Sequence, residues 1–357
     1  MRKKNLFFVI IFLIIVGCQS ENPKFNEFQK KISHDLSRAE STNGLISVID
    51  TLKLEIQSDS LDDNPIVKIS PKYLVLANQY LKSVYKFNKD GKLLLRFGSE
   101  GEGPGEFRDI TAISLDENGR IYIYDRIESV VSIFNEQGKC LKQLYIKHEI
   151  NNIRHICALN GLVFLHHAPM SNKSGFISIY DSTGFLNYIG SFTEGYKQYY
   201  MRGFLDGSLI SDYQRNIYEV NVYANTIRKI SNQILNSTST TDPSIRPLKK
   251  TMTSVFEELV DNYKNVTKPL KLFLVDENKL LFVEYLNNAG HSKKDHFFQV
   301  FDATNFAYIG NVKINDSHYF HDSDGKFLYC FVDPQNFPPK MNSRIQQPSV
   351  IIYKTNF

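Results

Sequence analysis

Tyr85-Lys-Phe87-Asn-Lys-Asp-Gly91-Lys-Leu-Leu is one copy of the unit that decides the fold. An apolar strand ends in an aromatic residue, a polar turn closed by glycine follows, and a second strand begins. The unit returns as Ser132-Ile-Phe134-Asn-Glu-Gln-Gly138-Lys-Cys-Leu and as Ser178-Ile-Tyr180-Asp-Ser-Thr-Gly184-Phe-Leu. Weaker copies are Asn221-Val-Tyr223-Ala-Asn-Thr-Ile227 and Gln299-Val-Phe301-Asp-Ala-Thr-Asn-Phe306, and the chain ends near Val350-Ile-Ile-Tyr353. Apolar runs bounded by Asn, Asp and Gly turns read as antiparallel hairpins. The aromatic markers stand at 87, 134, 180, 223, 301 and 353, with one long gap before 301.

A period of roughly 40–50 residues means one four-stranded sheet per repeat, arranged radially about an axis. Six markers therefore predict an all-β, six-bladed β-propeller of four-stranded antiparallel blades over residues 45–357. A second marker supports it. Phe97-Gly98, Ile189-Gly190 and Ile309-Gly310 place a glycine near the end of a later strand, where positive φ or a close backbone approach would demand one. Closure needs one chain end to complete a blade begun at the other. The early strand Val48 to Ile56 has no preceding hairpin and is predicted to become the outermost strand of the last blade, beside Ser349 to Tyr353.

The long gap holds an insertion, residues 231–268. Its first part, Asn236-Ser-Thr-Ser-Thr-Thr-Asp-Pro, reads as a polar loop. Its second has apolar residues at 255, 256, 259, 260 and 263, the spacing of a short helix, with Ser254 as N-cap and Glu257 at the reciprocal position of a capping box. This insertion is expected to decorate one face of the ring.

Ahead of the propeller, Arg2, Lys3 and Lys4 precede an unbroken apolar run from Leu6 to Val16. A spanning helix needs about 20 apolar residues, so this run fits an export signal better than a stable anchor. Ile15-Val16-Gly17-Cys18 looks like a bacterial lipobox, in which Cys18 is diacylated and becomes the new N-terminus. Residues 1–17 then form a lipoprotein signal peptide, and residues 18–44 a lipidated tether. Two acyl chains hold a protein to a membrane where one does not. Localisation to the cell envelope is expected, anchored in the outer membrane on its periplasmic or surface face.

The signal carries three basic and no acidic residues, so the rest of the chain is nearly charge-balanced. That removes the electrostatic footprint of a nucleic-acid-binding protein. With Cys18 assigned to lipid, Cys140, Cys157 and Cys330 remain, an odd set without CxxC spacing. They make neither a disulfide framework nor a zinc site, and Cys140 and Cys157 read as small buried hydrophobes.

Lys92 to Asp125 contains Phe97-Gly98, then Gly103-Pro-Gly-Glu-Phe107, then a strand ending Ile121-Tyr-Ile-Tyr-Asp125. This resembles the NHL-type repeat, most clearly over residues 70–140. Together with the lipobox, the chain looks like the six-bladed β-propeller lipoproteins common in Bacteroidetes. Some six-bladed relatives are lactonases or lyases with a divalent ion in the channel, but their ligands have no residue-by-residue counterpart here.

No hydrolase elbow, His-Glu-x-x-His helix or phosphate loop is present, so no catalytic, cofactor-binding or metal residue is assigned. His166 and His167 are adjacent on a strand and point to opposite faces, which disfavours shared ligation. His318 to Gly325 resembles half a calcium loop without its bidentate Glu, and a β-turn accounts for it. His166, Tyr196, Tyr199, Tyr200, Arg202 and Asp206 are set out as a ligand face. The expected function is a non-enzymatic binding or scaffold module for a protein or glycan in the envelope. The alternative is a channel-centred hydrolase or lyase: three or more imidazole or carboxylate groups converging on the axis would favour it, and an axis lined by Tyr, Lys and Asn would count against it.

Overall fold

A computed structural model describes residues 45–56, 61, 65–147, 150, 152–169, 175–191, 193–202, 204, 206–223, 226–231, 234–239, 247–287, 295–314, 320–332 and 348–356. The signal, Cys18 and the tether lie outside the described residues. Six four-stranded antiparallel sheets form the blades of a propeller. Blade 1 runs from Ile66–Ile69 through Leu74–Asn78 and Ser83–Phe87 to Leu93–Phe97. Blade 2 comprises Ile110–Leu115, Ile121–Asp125, Val130–Phe134 and Cys140–Tyr145. Blade 3 comprises His155–Leu159, Leu162–His166, Ile177–Asp181 and Gly184–Ile189. Blade 4 comprises Gly207–Ser211, Asn216–Asn221, Thr226–Ser231 and Ile234–Ser239. Blade 5 comprises Thr267–Val275, Leu280–Asn287, Asp295–Asp302 and Tyr308–Lys313. Blade 6 comprises Asp322–Ser323, Leu328–Val332 and Ser349–Thr355, and borrows its outermost strand, Ile46–Lys53, from the other end of the chain. Thr51 pairs with Ile351 and Leu52 with Val350 in that seam.

The recurring aromatic has a structural cause. In blades 1, 2, 3 and 5 the register of the third and fourth strands slips at Phe87, Phe134, Tyr180 and Phe301. The next residue, Asn88, Asn135, Asp181 or Asp302, turns its side-chain oxygen back onto backbone N–H groups of the following turn. Such Asx turns fix the hairpin while the bulge adds twist. Gly98 and Gly190 adopt φ of 90° and 92°, as the second marker requires, whereas Gly310 lies inside a strand without positive φ.

Side chains alternate across a strand, so a blade covered on both faces becomes apolar throughout. Leu74 and Leu76 pack towards blade 6, and Val75 and Ala77 towards blade 2. Six apolar clusters fill the six interfaces between neighbouring blades, including the one between blades 6 and 1. At roughly 1.5–3 kcal/mol for each large apolar side chain fully buried, these interfaces are the main favourable term in the fold.

Blade 4 departs from the sequence reading. Tyr223 follows its second strand instead of ending its third, so the fourth marker is displaced within the repeat. The segment read as a polar loop supplies the outermost strand Ile234–Ser239, because the backbone ladder to Thr226–Ser231 needs no apolar side chains. Helix α1, Lys197–Met201, and helix α2, Phe256–Lys264, lie against the interface of blades 3 and 4. Val255, not Ser254, precedes the first turn of α2, and no side chain caps it. Leu259 and Tyr263 are buried, while Val255 and Phe256 are half exposed. Cys157 and Cys330 are buried thiols, but Cys140 sits on the outermost strand of blade 2 and is only partly covered.

Deleting residues 45–54 should strip blade 6 of its outer strand and leave the side chains of Leu52 and Leu54 out of the cluster they share with Tyr329. The shortened protein is expected to melt at lower temperature and self-associate through the exposed edge of Ser349–Thr355, as read by calorimetry and size-exclusion chromatography.

Candidate functional site

The first strand of each blade faces the axis, and neighbours are stapled there. Ile69 N–H of blade 1 donates to Asp322 Oδ2 of blade 6 at 2.8 Å. Ala158 N–H of blade 3 donates to Ser114 Oγ of blade 2, and Leu274 N–H of blade 5 to Ser323 Oγ of blade 6, both at 2.9 Å. Buried backbone donators on a strand edge need such partners.

Tyr213, in the turn after the inner strand of blade 4, donates its hydroxyl to the carbonyl of Ile69 in blade 1 at 2.7 Å. Blades 1 and 4 are diametrically opposed, so this contact crosses the axis. Tyr213 holds positive φ (58°), and its N–H donates to Ser211 Oγ at 2.7 Å. A cavity of about 310 Å³ takes wall residues from all six blades, among them Ile66, Ala112, Ile156, Leu209, Leu272 and Asp322. Arg154, also on its wall, is exposed to solvent.

Charge in the cavity is uneven. Among the described residues of its wall, Lys68, Arg154 and Lys271 contribute three cations, against the carboxylate of Asp322. Lys68 Nζ is 3.5 Å from Asp322 Oδ1, and Lys271 Nζ donates to the carbonyl of Phe320 at 2.7 Å. Burial lowers the Lys271 ammonium from the usual lysine range, with the carboxylate of Glu284 acting in the opposite sense. Burial raises the Asp322 carboxyl, and Lys68 together with the Ile69 N–H works against that rise. Burial also pushes the His155 imidazole well down, helped by His166, Lys68 and Lys271. His155 is therefore a neutral ring at pH 7. His321 Nδ1 accepts the N–H of Phe331 at 3.0 Å, which ties that imidazole to blade 6. Among the described residues, no three His, Cys, Asp or Glu side chains are grouped so as to hold a metal ion.

The residues set out as a ligand face are not gathered on one surface. Tyr199 and Tyr200 are buried, packed with Phe176, Phe204, Tyr223 and Tyr263 between blades 3 and 4. Tyr196 is partly buried and donates to the carbonyl of Leu248 at 3.1 Å. Asp206 accepts from Tyr263 Oη at 2.8 Å and lies 3.3 Å from Lys268 Nζ. Arg202 is exposed and stacks over Phe256. His166 is fully buried, its Nε2 3.3 Å from Glu219 Oε1 but off the line of a hydrogen bond. Glu219 is held by Arg228 Nη1 and Asn221 Nδ2, both at 2.6 Å. Burial raises the Glu219 carboxyl, yet Arg228 and His166 outweigh it and bring it to about 2. His167 points the other way, with Nδ1 3.0 Å from the carbonyl of Ala168 and its ring edge-on to Tyr188. Asp324 of the half calcium loop instead accepts the N–H groups of Lys326 and Phe327 in a turn. Residues 315–319, with His318, lie outside the described residues.

Lys68, Arg154, His155 and Lys271 carried no motif. Lys68 and Lys271 share one feature, a basic residue flanked by apolar neighbours in an inner strand, as in Ile66-Val67-Lys68-Ile69 and Leu270-Lys271-Leu272.

Glu219→Ala would strand the Arg228 guanidinium beside a cavity. It should cost about 3–5 kcal/mol, seen as a lower urea midpoint. Burial also lowers the His167 imidazole to about 4. His155 and His167 thus stay neutral in the fold where the unfolded chain, with a histidine pKa of about 6.5, gains protons. Stability should be fully present above pH 6.5 and fall as pH drops towards 4. His167→Asn, which keeps a donor for Ala168, should flatten that slope in pH-dependent urea titrations.

Comparison with known proteins agrees with the geometry. A Bacteroides fragilis protein assigned as exported superposes with a TM-score of 0.67 at 14% identity, covering 89% of this chain and 97% of the other. A Bacteroides vulgatus member of the duf4221 family superposes with a TM-score of 0.60 at 11% identity, covering 87% and 98%. Both likenesses concern the fold. No functionally curated protein matches the sequence. Residues 20–336 match the family DUF5128, described as a 6-bladed beta-propeller, and the chain belongs to that family.

Proposed function

We propose that the protein is an exported, lipid-anchored propeller that binds a ligand in its axial channel without transforming it. The observation that carries this reading is the axial cavity of about 310 Å³ bordered by all six blades. Pockets of roughly 300 Å³ and more suit small ligands or the end of a larger one, and an axis where six blades meet offers a rigid frame for recognition. A glycan terminus or a protein side chain projecting inwards fits this shape. Export and anchoring rest on the charged start, the short apolar run and Gly17-Cys18, and the exported Bacteroides fragilis protein of the same fold is in keeping with export.

The hydrolase or lyase alternative draws on His155, His321 and Asp322 in the channel wall. Two of the three are already engaged. Asp322 takes the Ile69 N–H and lies near Lys68, and His321 takes the Phe331 N–H. A wall whose acid and base groups serve the ring itself favours binding over turnover.

Labelling cells with an alkyne-tagged fatty acid should mark the wild-type chain and leave Cys18→Ala unmarked and released from the membrane fraction. Envelope oligosaccharides retained by the purified protein should be recovered with unchanged mass. Label on Cys18→Ala, or products that accumulate beyond one equivalent of protein, would contradict the proposal.

A further inference from the structure

We propose that the surface built by α1, residues 247–255 and the start of α2 is a docking site for a protein partner whose contact segment sets a carboxylate beside an apolar side chain. Met201, Met252, Val255 and Phe256 are its apolar members, and Arg202 is the charge among them. The two chain segments are knit together. Thr251 N–H donates to the Gly195 carbonyl at 2.8 Å, Tyr196 Oη to the Leu248 carbonyl at 3.1 Å and Arg202 Nη2 to the Ser254 carbonyl at 3.4 Å. Beneath them, Tyr199, Tyr200, Leu248, Leu259 and Tyr263 are buried in the interface of blades 3 and 4. The surface is therefore fixed to the propeller before any partner arrives. Met201 and Met252 are nevertheless 60% and 75% exposed, and Val255 and Phe256 48% and 48%. Single exposed apolar residues are ordinary, but a group assembled from two distant segments marks a place of contact.

The make-up of the surface favours a protein. Methionine, aromatic and arginine side chains are the types that protein interfaces concentrate, and arginine is a frequent anchor of binding energy. Arg202 lies over the Phe256 ring, 5.1 Å from its centre, and Phe256 stacks in turn on Phe204 with centroids 6.4 Å apart. That stack and the bond to Ser254 hold the guanidinium in place, while the side chain stays exposed. A planar fork presented in this way matches a carboxylate through paired hydrogen bonds. A lipid surface fits less well, for two reasons. Charge here is mixed, with Arg202, Lys249 and Lys250 exposed on one side and Glu257 and Glu258 on the other. Anionic headgroups call for one sign of charge, whereas a protein can answer both. The glutamates also direct the partner's acidic group to Arg202 and away from α2. The second reason is direction. Successive turns of an antiparallel sheet alternate between the two faces of the ring, so the connections into the inner strands, which carry α1 and α2, share one face. Leu45 enters the outer strand of blade 6 from the opposite face, where its carbonyl accepts the N–H of Asn356. A tether that reaches Leu45 thus approaches from behind the surface. The surface is separate from the axial channel and does not depend on ligand binding there.

The probe is a displayed library of short random peptides, selected on the full chain and counter-selected on its Phe256→Ser variant. The peptides that remain should carry Asp or Glu within a few positions of Leu, Phe or Trp. A synthetic copy of the strongest should bind the wild-type chain in fluorescence anisotropy. Phe256→Ser and Arg202→Met should each weaken it by roughly tenfold to thirtyfold, the loss expected for an anchor residue. Tyr80→Ser, which removes an exposed aromatic from blade 1, should leave it unchanged. Melting curves verify that each variant is folded, and Met252→Ser replaces any that is not. Peptides without an acidic residue, or none that separate the wild-type chain from Phe256→Ser, would overturn the docking site. Two further results would overturn the protein partner. One is flotation of the Cys18→Ala chain with vesicles of phosphatidylethanolamine and phosphatidylglycerol that is lost with Phe256→Ser, which assigns the surface to lipid. The other is a dimer in analytical ultracentrifugation that Phe256→Ser dissolves, which assigns it to a second copy of the chain.

Discussion

A ring of sheets exists only if its last interface closes, and here that closure depends on Ile46–Lys53 laying its backbone along Ser349–Thr355. Every blade is apolar on both faces, because each face is covered by a neighbour. An open ring would present two such faces to water, filled by residues such as Leu76 and Tyr85 on one side and Tyr329 and Val350 on the other. The seam strand and the residue after it add modest apolar area of their own, chiefly Ile46, Leu52 and Leu54. Its larger effect is to join the two ends of the repeat, so that the first and last blades cannot separate without breaking a ladder of backbone hydrogen bonds.

The channel inherits its properties from that closure. Six inner strands brought to one axis expose edges of backbone, and the side chains of Ser114, Asp322 and Ser323 satisfy those edges by reaching to the neighbouring blade. Asp322 serves this staple and also tempers the charge of Lys68. Tyr213 ties blade 4 to blade 1 across the axis. Structure and site thus share residues, and polar groups that might suggest chemistry are in good part committed to holding the ring.

Much of this architecture is legible in the sequence because the repeat is written in local turn chemistry. Phe87-Asn88, Phe134-Asn135, Tyr180-Asp181 and Phe301-Asp302 each mark a bulge followed by an Asx turn, so the period can be counted without knowing what lies between. Tyr223 misleads because blade 4 lacks that bulge, and an aromatic after its second strand, packed in the cluster with Phe176 and Tyr200, imitates the marker. Ile234–Ser239 reads as loop because an outer strand pairs through its backbone and does not require an apolar face. The site is the least legible part. Lys68, Arg154 and Lys271 are far apart in the chain and converge only once the circle is complete. The conspicuous run of Tyr196, Tyr199 and Tyr200 instead fills the enlarged interface of blades 3 and 4.

The central claim, a six-bladed circle fastened head to tail, is tested most directly at the seam. Thr51 and Ile351 are paired across it. In a chain with Cys18 and Cys140 replaced by serine and Cys330, which pairs with Ile351 from the other side, replaced by alanine, cysteines introduced at 51 and 351 should form an intramolecular disulfide under mild oxidation and leave the folded protein monomeric. Cysteines that stay reduced, or that link only between molecules, would show that the two ends of the chain do not meet, and the closed propeller would be contradicted.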